Sequence, residues 1–155
     1  MIKNTFKKEE RLCSKKDIDF LFQQGSSFFL YPFRVVFLSR PVQKDDKFSI
    51  SVLFSVPKRK FPSAVVRNLI KRRMREVYRF HKPLLYAQFA EINELVDENI
   101  SQTHINTPDK TRHLLLAIQY TSKEIEDFST LNVKMQQLGS KLLNEYHTVY
   151  LGEDH

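Results

Sequence analysis

Residues 61–79, FPSAVVRNLIKRRMREVYR, admit very few folds. Wound as a helix at about 100° per residue, this stretch separates its charges from its apolar groups. With Arg67 placed at zero, Lys71, Arg75, Asn68, Arg79 and Arg72 fall within an arc of roughly 140°, and Val66, Leu69, Ile70, Met74, Val77 and Phe80 fill the arc opposite. The apolar side has to be covered by other elements, while the charged side has to stay open. Like charges spaced i,i+4 cost helix stability unless something answers them. Arginine forks bind phosphate in a bidentate way and do not lose their charge, so the stretch predicts a helix that packs on one side and offers a polyanion-binding face on the other.

The rest of the chain sharpens that reading. With 155 residues there is room for one domain with a real core, and not for two ordinary ones. The net charge is +7, yet residues 55–82 alone hold ten Lys or Arg against the single acid Glu76, a local +9. Residues 1–54 carry +4, residues 83–128 carry −5 and residues 129–155 carry −1. A surplus spread evenly would mainly favour solubility; this concentration marks a nucleic-acid surface.

Other chemistries find little support. Cys13 stands alone, which excludes an internal disulfide and a thiolate metal cluster. His81, His104, His113, His147 and His155 lack the close pairing on a helix face that a zinc site needs. Glu10, Asp17 and Asp19 read as scattered, solvating acids, so no metal site and no catalytic residue is assigned. No apolar run reaches signal-peptide or membrane-spanning length, and a soluble, cytoplasmic protein without a membrane partner is expected.

Along the chain, residues 1–13 read as a basic arm. Ser14 offers an N-cap and Gly25 a stop for a short helix at 15–24, with Ile18, Leu21 and Phe22 on one side. After a polar and aromatic link, PFRVVFLSR has strand composition, with Phe33, Val35 and Phe37 on one face and Arg34, Val36 and Leu38 on the other. KFSISVLFSV alternates Phe48, Ile50, Val52, Phe54 and Val56 with Ser49, Ser51, Leu53 and Ser55, a half-buried strand long enough to bend or split in two. Pro57 ends it. Pro62 or Ser63 can open the basic helix, and Pro83 ends or kinks it near Lys82. Residues 84–110 form an acidic insertion or helical extension that closes in a loop, HINTPDK. A buried strand follows at 113–120, and Leu131, Met135, Leu138 and Leu142 mark a last helix before a polar tail at 147–155.

This order, α-β-β-β-α-β-α, fits a single two-layer α+β domain over 1–155, a small mixed sheet with helices on one face. The other face, carrying Arg34, Val36 and the serines, would be free for a ligand. By composition alone, a non-enzymatic RNA-binding protein of ribosomal or chaperone type fits equally well. A nuclease acting without RNA would need clustered carboxylates or a His pair, and the sequence displays neither.

The pattern F-x-x-A-x-x-R-N-L-I-K-R-x-M-R, here Phe61, Ala64, Arg67, Asn68, Leu69, Ile70, Lys71, Arg72, Met74 and Arg75, resembles the arginine-rich signature of the protein subunit of bacterial ribonuclease P. Glu10 to Leu12, FQQGSS at 22–27, FRVVF and SVPKRK at 55–60 resemble the same family in the same order. The resemblance implies a ribonucleoprotein endonuclease whose RNA subunit, with Mg²⁺, removes the 5′ leader of precursor tRNA, while the protein positions the RNAs without catalysing. Mg²⁺ would be bound mainly by the RNA, with no small-molecule cofactor and no obligate protein partner. The partners would be the catalytic RNA and precursor tRNA. Carried over, Arg67, Asn68, Lys71, Arg72 and Arg75 match the RNA-contacting helix, and Lys58, Arg59, Lys60 and Arg79 enlarge its positive field. Ile18, Phe22, Arg34 and Val36 match the leader cleft. Phe22 is equally a core residue by spacing, and only the family points it to the cleft. The resemblance also implies a left-handed β-α-β crossover around the basic helix.

The chain departs from the family in three places. Leu69 stands where many relatives have a second arginine, with Arg73 nearby as a replacement. Ile18 occupies a cleft position that is often aromatic, and the acidic segment near 87–110 is longer than usual.

Overall fold

The computed structural model describes residues 6–103 and 112–152. Ser14 accepts a hydrogen bond from Asp17 N at 3.3 Å and opens helix α1, Lys15–Gln24. The link expected after it is itself a strand: β1, Ser26–Leu30, pairs antiparallel with β2, Phe33–Pro41. The strand is only five residues long and opens on two serines, so its two phenylalanines do not announce it alone, and the ladder to β2 completes it. β3, Ile50–Ser55, is one unsplit strand, so the three strands that precede the basic helix are reached through β1.

α2, Ala64–Thr103, continues through Pro83 and takes in twenty residues of the acidic segment, as the reading of a helical extension expects. A proline inside a helix costs roughly 3 kcal/mol. The apolar face outweighs this by continuing beyond it: Met74, Val77, Tyr78, Leu85, Tyr86 and Phe89 are all buried. The HINTPDK loop expected at 104–110 lies outside the described residues. β4, Arg112–Tyr120, follows, and α3, Phe128–Leu151, is capped by Asp127, whose carboxylate accepts from Thr130 N at 2.8 Å. That backbone hydrogen bond also holds the Asp127 carboxyl below its ordinary pKa. The helix extends five residues into the stretch read as a polar tail, because Tyr146 is buried and the Tyr150 hydroxyl accepts from Ser39 N on β2 at 2.7 Å.

The sheet order is β1-β2-β4-β3. β4 lies antiparallel to β2 and parallel to β3, with α2 as the connection between the two parallel strands. The alternation read from the sequence decides the faces. Phe33, Val35, Phe37, Ile50, Val52, Phe54, Leu114, Leu116 and Ile118 point to one side, where α2 and α3 complete the large core. Phe89 and Tyr146 meet there edge to face at 5.3 Å.

The helices do not all share that side. α1 lies on the opposite face, where Leu12, Leu21, Val36, Leu38, Leu115 and Ala117 form a second, small core. Leu21 is fully buried, and a helix of ten residues has to find such a contact to persist. Gly25 permits the close approach: a Cβ there would stand 2.4 Å from Leu21 O and 3.0 Å from both Phe37 O and Val36 Cγ1. β4 is therefore buried on both faces, as its unbroken apolar run predicts.

The basic arm is docked where it is described. Lys8–Glu10 form a 3₁₀ turn, Arg11 bridges to Val52, and Leu12 N donates to Val52 O at 2.9 Å.

Candidate nucleic-acid interface

Two surfaces carry the residues singled out above. The first is the exposed side of the N-terminal half of α2. Pro57 stops β3, residues 58–60 turn, and Phe61 buries its ring against Tyr120 at 5.8 Å, fixing where the helix begins. Ser63 Oγ accepts from Val66 N at 3.4 Å in the capping position. Asn68 and Arg72 are exposed and Lys71 and Arg75 half-buried, and the side chains of these four make no hydrogen bond or ion pair with any described residue.

Other members of the predicted set have work within the protein. Arg67 donates to Phe61 O and Pro62 O, both at 2.8 Å, and so ties down the helix entry. Lys60 Nζ donates to Thr121 O at 2.7 Å, while Lys58 and Arg59 are exposed on the turn. Arg79 pairs with Glu76, one turn away, and lies over the Phe80 ring. Arg73, one turn on from Leu69 and on the same side of α2, donates to Glu126 O at 2.8 Å and is thus engaged within the protein. The periodicity of α2 puts Arg73 near the apolar arc, which is why it meets the chain before α3 and not the open face.

Arg11 belongs with this surface, and the sequence reading gave it no role. A groove of about 180 Å³ between the arm, β3 and α2 is lined by Phe6, Arg11, Cys13, Leu53, Lys71 and Arg75, among others. Burial, and then the positive charge of Arg11, lowers the pKa of Arg75, so two guanidinium groups face the same space. The Glu10–Leu12 motif held the signal, but only the bridge to β3 brings it beside α2.

The second surface is the sheet face that α1 half covers. α1 is pinned at its N-terminal end. Arg40, almost wholly buried, reaches Asp46 at 2.7 Å and Asp17 of α1 at 3.3 Å. The Asp46 hydrogen bond raises the Arg40 pKa against the pull of burial, and the same bond, with Gln43 N, keeps Asp46 below its ordinary pKa despite burial. His113 sits in the same cluster, its Nε2 2.9 Å from Ser51 Oγ, and burial lowers its pKa.

At its other end α1 stops above Val36 and leaves a row of the sheet uncovered. The strand registers align Phe29, Arg34, Gln119 and Ser55 across all four strands. Arg34 Nη1 donates to Gln119 Oε1 at 2.7 Å and its guanidinium lies 6.0 Å from the Phe29 ring centroid. Of the predicted cleft residues, Phe22 is 43% exposed and Arg34 half-buried. Val36 is 3% exposed beneath α1 and closed off, while Ile18 packs against the same small core and is half-buried. Phe29, 65% exposed, and Gln119 join the surface unannounced, since β1 was not legible as a strand.

The Ribonuclease P family model matches residues 6–116. The chain belongs to the ribonuclease P protein family. The ribonuclease P protein component of Porphyromonas gingivalis is 33% identical over 130 residues, covering 84% of this chain and 80% of that one. That of Petrotoga mobilis is 40% identical over 78 residues, 50% of this chain and 61% of that one. Among solved structures, the RNase P protein from Thermotoga maritima superposes with a TM-score of 0.55 at 22% identity, covering 85% of this chain and 96% of that one, a likeness of fold. This chain is thus the protein component of ribonuclease P, a ribonucleoprotein endoribonuclease acting on tRNA precursors, and RNA binding comes with the family. Among the described residues, no group of three or more His, Cys, Asp or Glu could hold a metal ion. No helix among them is long and apolar enough to cross a membrane.

Proposed function

We propose that the open face of α2 docks the RNA subunit and that the uncovered end of the sheet beside α1 receives the single-stranded 5′ leader of precursor tRNA. The observation that carries this reading is the set Asn68, Lys71, Arg72 and Arg75, four phosphate-seeking or hydrogen-bonding side chains on one helix face without a partner among the described residues. Lys58, Arg59, Lys60, Arg67 and Arg79 add positive field around them. Phe22, Phe29 and the Arg34–Gln119 pair suit an unpaired strand, which binds by stacking and by hydrogen bonds to base edges. Mg²⁺ supplies its chemistry from the RNA subunit. The protein's own residues bind and orient, and in this reading they work in the cytoplasm.

Adding the purified chain to a bacterial ribonuclease P RNA should stimulate precursor tRNA cleavage at low Mg²⁺, where the RNA alone is slow. No stimulation would overturn the docking assignment. Cleavage by the protein without RNA would overturn the assignment of chemistry to RNA.

A further inference from the structure

Glu10 is the most deeply buried acid described, 1% exposed, and the sequence reads it as solvated. Its Oε1 accepts from Lys82 Nζ at 2.7 Å and from the Tyr86 hydroxyl at 3.0 Å, and its Oε2 accepts from Lys7 N at 2.8 Å. Lys82 is equally buried, one residue before the proline that α2 runs through. The single Tyr86 hydroxyl proton is shared with Ile50 O, 3.1 Å away, so the part of α2 around Pro83 holds both the arm and the start of β3. Nothing in the binding surfaces described above uses this pair.

The pair sits immediately before Arg11. Leu12 is fixed on the other side by its bond to Val52 O, leaving Arg11 clamped between two anchors. Its guanidinium lies 5.6 Å from the centroid of the Phe6 ring, which in turn packs edge to face on Phe54 and Tyr78. Clamped there, Arg11 shares a groove with Lys71 and Arg75. Three cations facing one groove repel each other, and without a tether the arm could relieve the repulsion by leaving. A buried, hydrogen-bonded ion pair resists that and also fixes one register, since sliding the arm by a residue would strand both charges in the core.

We propose that Glu10 is a positioning residue for RNA docking: by its buried bond to Lys82 it holds the N-terminal arm across α2, so that Arg11 joins Lys71 and Arg75 in receiving one stretch of RNA backbone. The proposal rests on the reading of the α2 face as the RNA surface. Pre-ordering the arm means that binding does not have to order it.

The test measures binding of the full chain to a bacterial ribonuclease P RNA over a salt series for wild type, R11A, R72A, E10Q and E10Q/R11A. Each lost phosphate contact lowers the slope of log affinity against log salt by about one unit. E10Q, which removes no surface cation, is expected to lose the same unit as R11A, and E10Q/R11A no more than R11A alone. A fluorophore on the exposed Cys13 should lose anisotropy in E10Q. A wild-type slope in E10Q overturns the proposal. If E10Q does not fold, E10Q/K82M, which removes the charge from both partners, takes its place with the same expected slope, and a wild-type slope there overturns it too. R72A separates the two claims: an unchanged slope in R72A and R11A alike defeats the RNA surface itself, whereas a lowered slope in both with none in E10Q defeats only the positioning role.

Discussion

The two faces of the sheet are closed by different forces. On one, α2 and α3 cover every strand with aromatic and aliphatic side chains, and the contact is made by area. On the other, six buried residues suffice beneath α1, and the helix is held at its N-terminal end by Arg40 between Asp17 and Asp46. A helix held by area must cover what holds it. A helix pinned at one end by charge need not, and the row Phe29, Arg34, Gln119, Ser55 stays uncovered.

The largest effect that tests this contrast belongs to the area-held face. Phe89→Ala should cost about 4 kcal/mol of unfolding free energy in a denaturant titration, because Phe89 is fully buried against Tyr146. Arg40→Met should cost about 3 kcal/mol by leaving Asp17 and Asp46 without their shared partner. A loss below 1 kcal/mol would mean that the small core alone holds α1, and the contrast would fail. Phe29→Ala touches the uncovered row. It should leave stability nearly unchanged and weaken precursor tRNA binding by about 1–3 kcal/mol relative to mature tRNA, measured by paired titrations with the holoenzyme. Equal weakening for both RNAs would show that the row does not meet the leader.

The smallest effect is a pH one. His113 has its folded pKa depressed below the ordinary 6.5 by burial, so below 6.5 the unfolded chain takes up a proton that the folded chain refuses. Stability should fall as pH drops from 6.5 towards the depressed value, by at most about 1.4 kcal/mol per pH unit. Asp46, also depressed, adds a further loss only as pH falls below the ordinary carboxylate range. His113→Gln should flatten the upper part of this fall in denaturation curves at pH 7.5 and 5.5. An unflattened curve would place the titrating group elsewhere.

Much of this was legible from one-dimensional pattern. The alternation in β2 and β3 and the unbroken run in β4 placed nearly every core residue on its observed face, because a strand has only two sides. The separation of charge on α2 likewise placed Asn68, Lys71, Arg72 and Arg75 on the open side. What failed was decided by partners far away in sequence. Pro83 leaves an end or a kink open until Phe89 and Tyr86 are seen in the core, where they carry the helix on. β1 reads as a link until β2 lies beside it. Glu10 reads as a surface acid until Lys82, seventy-two residues on, is found against it. Val36 reads as open until α1 crosses it.

The sequence by itself determined the family, the period of each main element and the charged face of α2, since periodicity and charge are local properties of the chain. The tertiary structure alone decided which cations remain available. Arg73 resembles its neighbours in sequence, yet it has found the carbonyl of Glu126, 53 residues on. Arg11, from a distant segment, has been brought to the groove beside Lys71 and Arg75. A side chain's charge is written in its identity, but whether that charge is already answered depends on which acceptor the fold carries to within hydrogen-bonding distance.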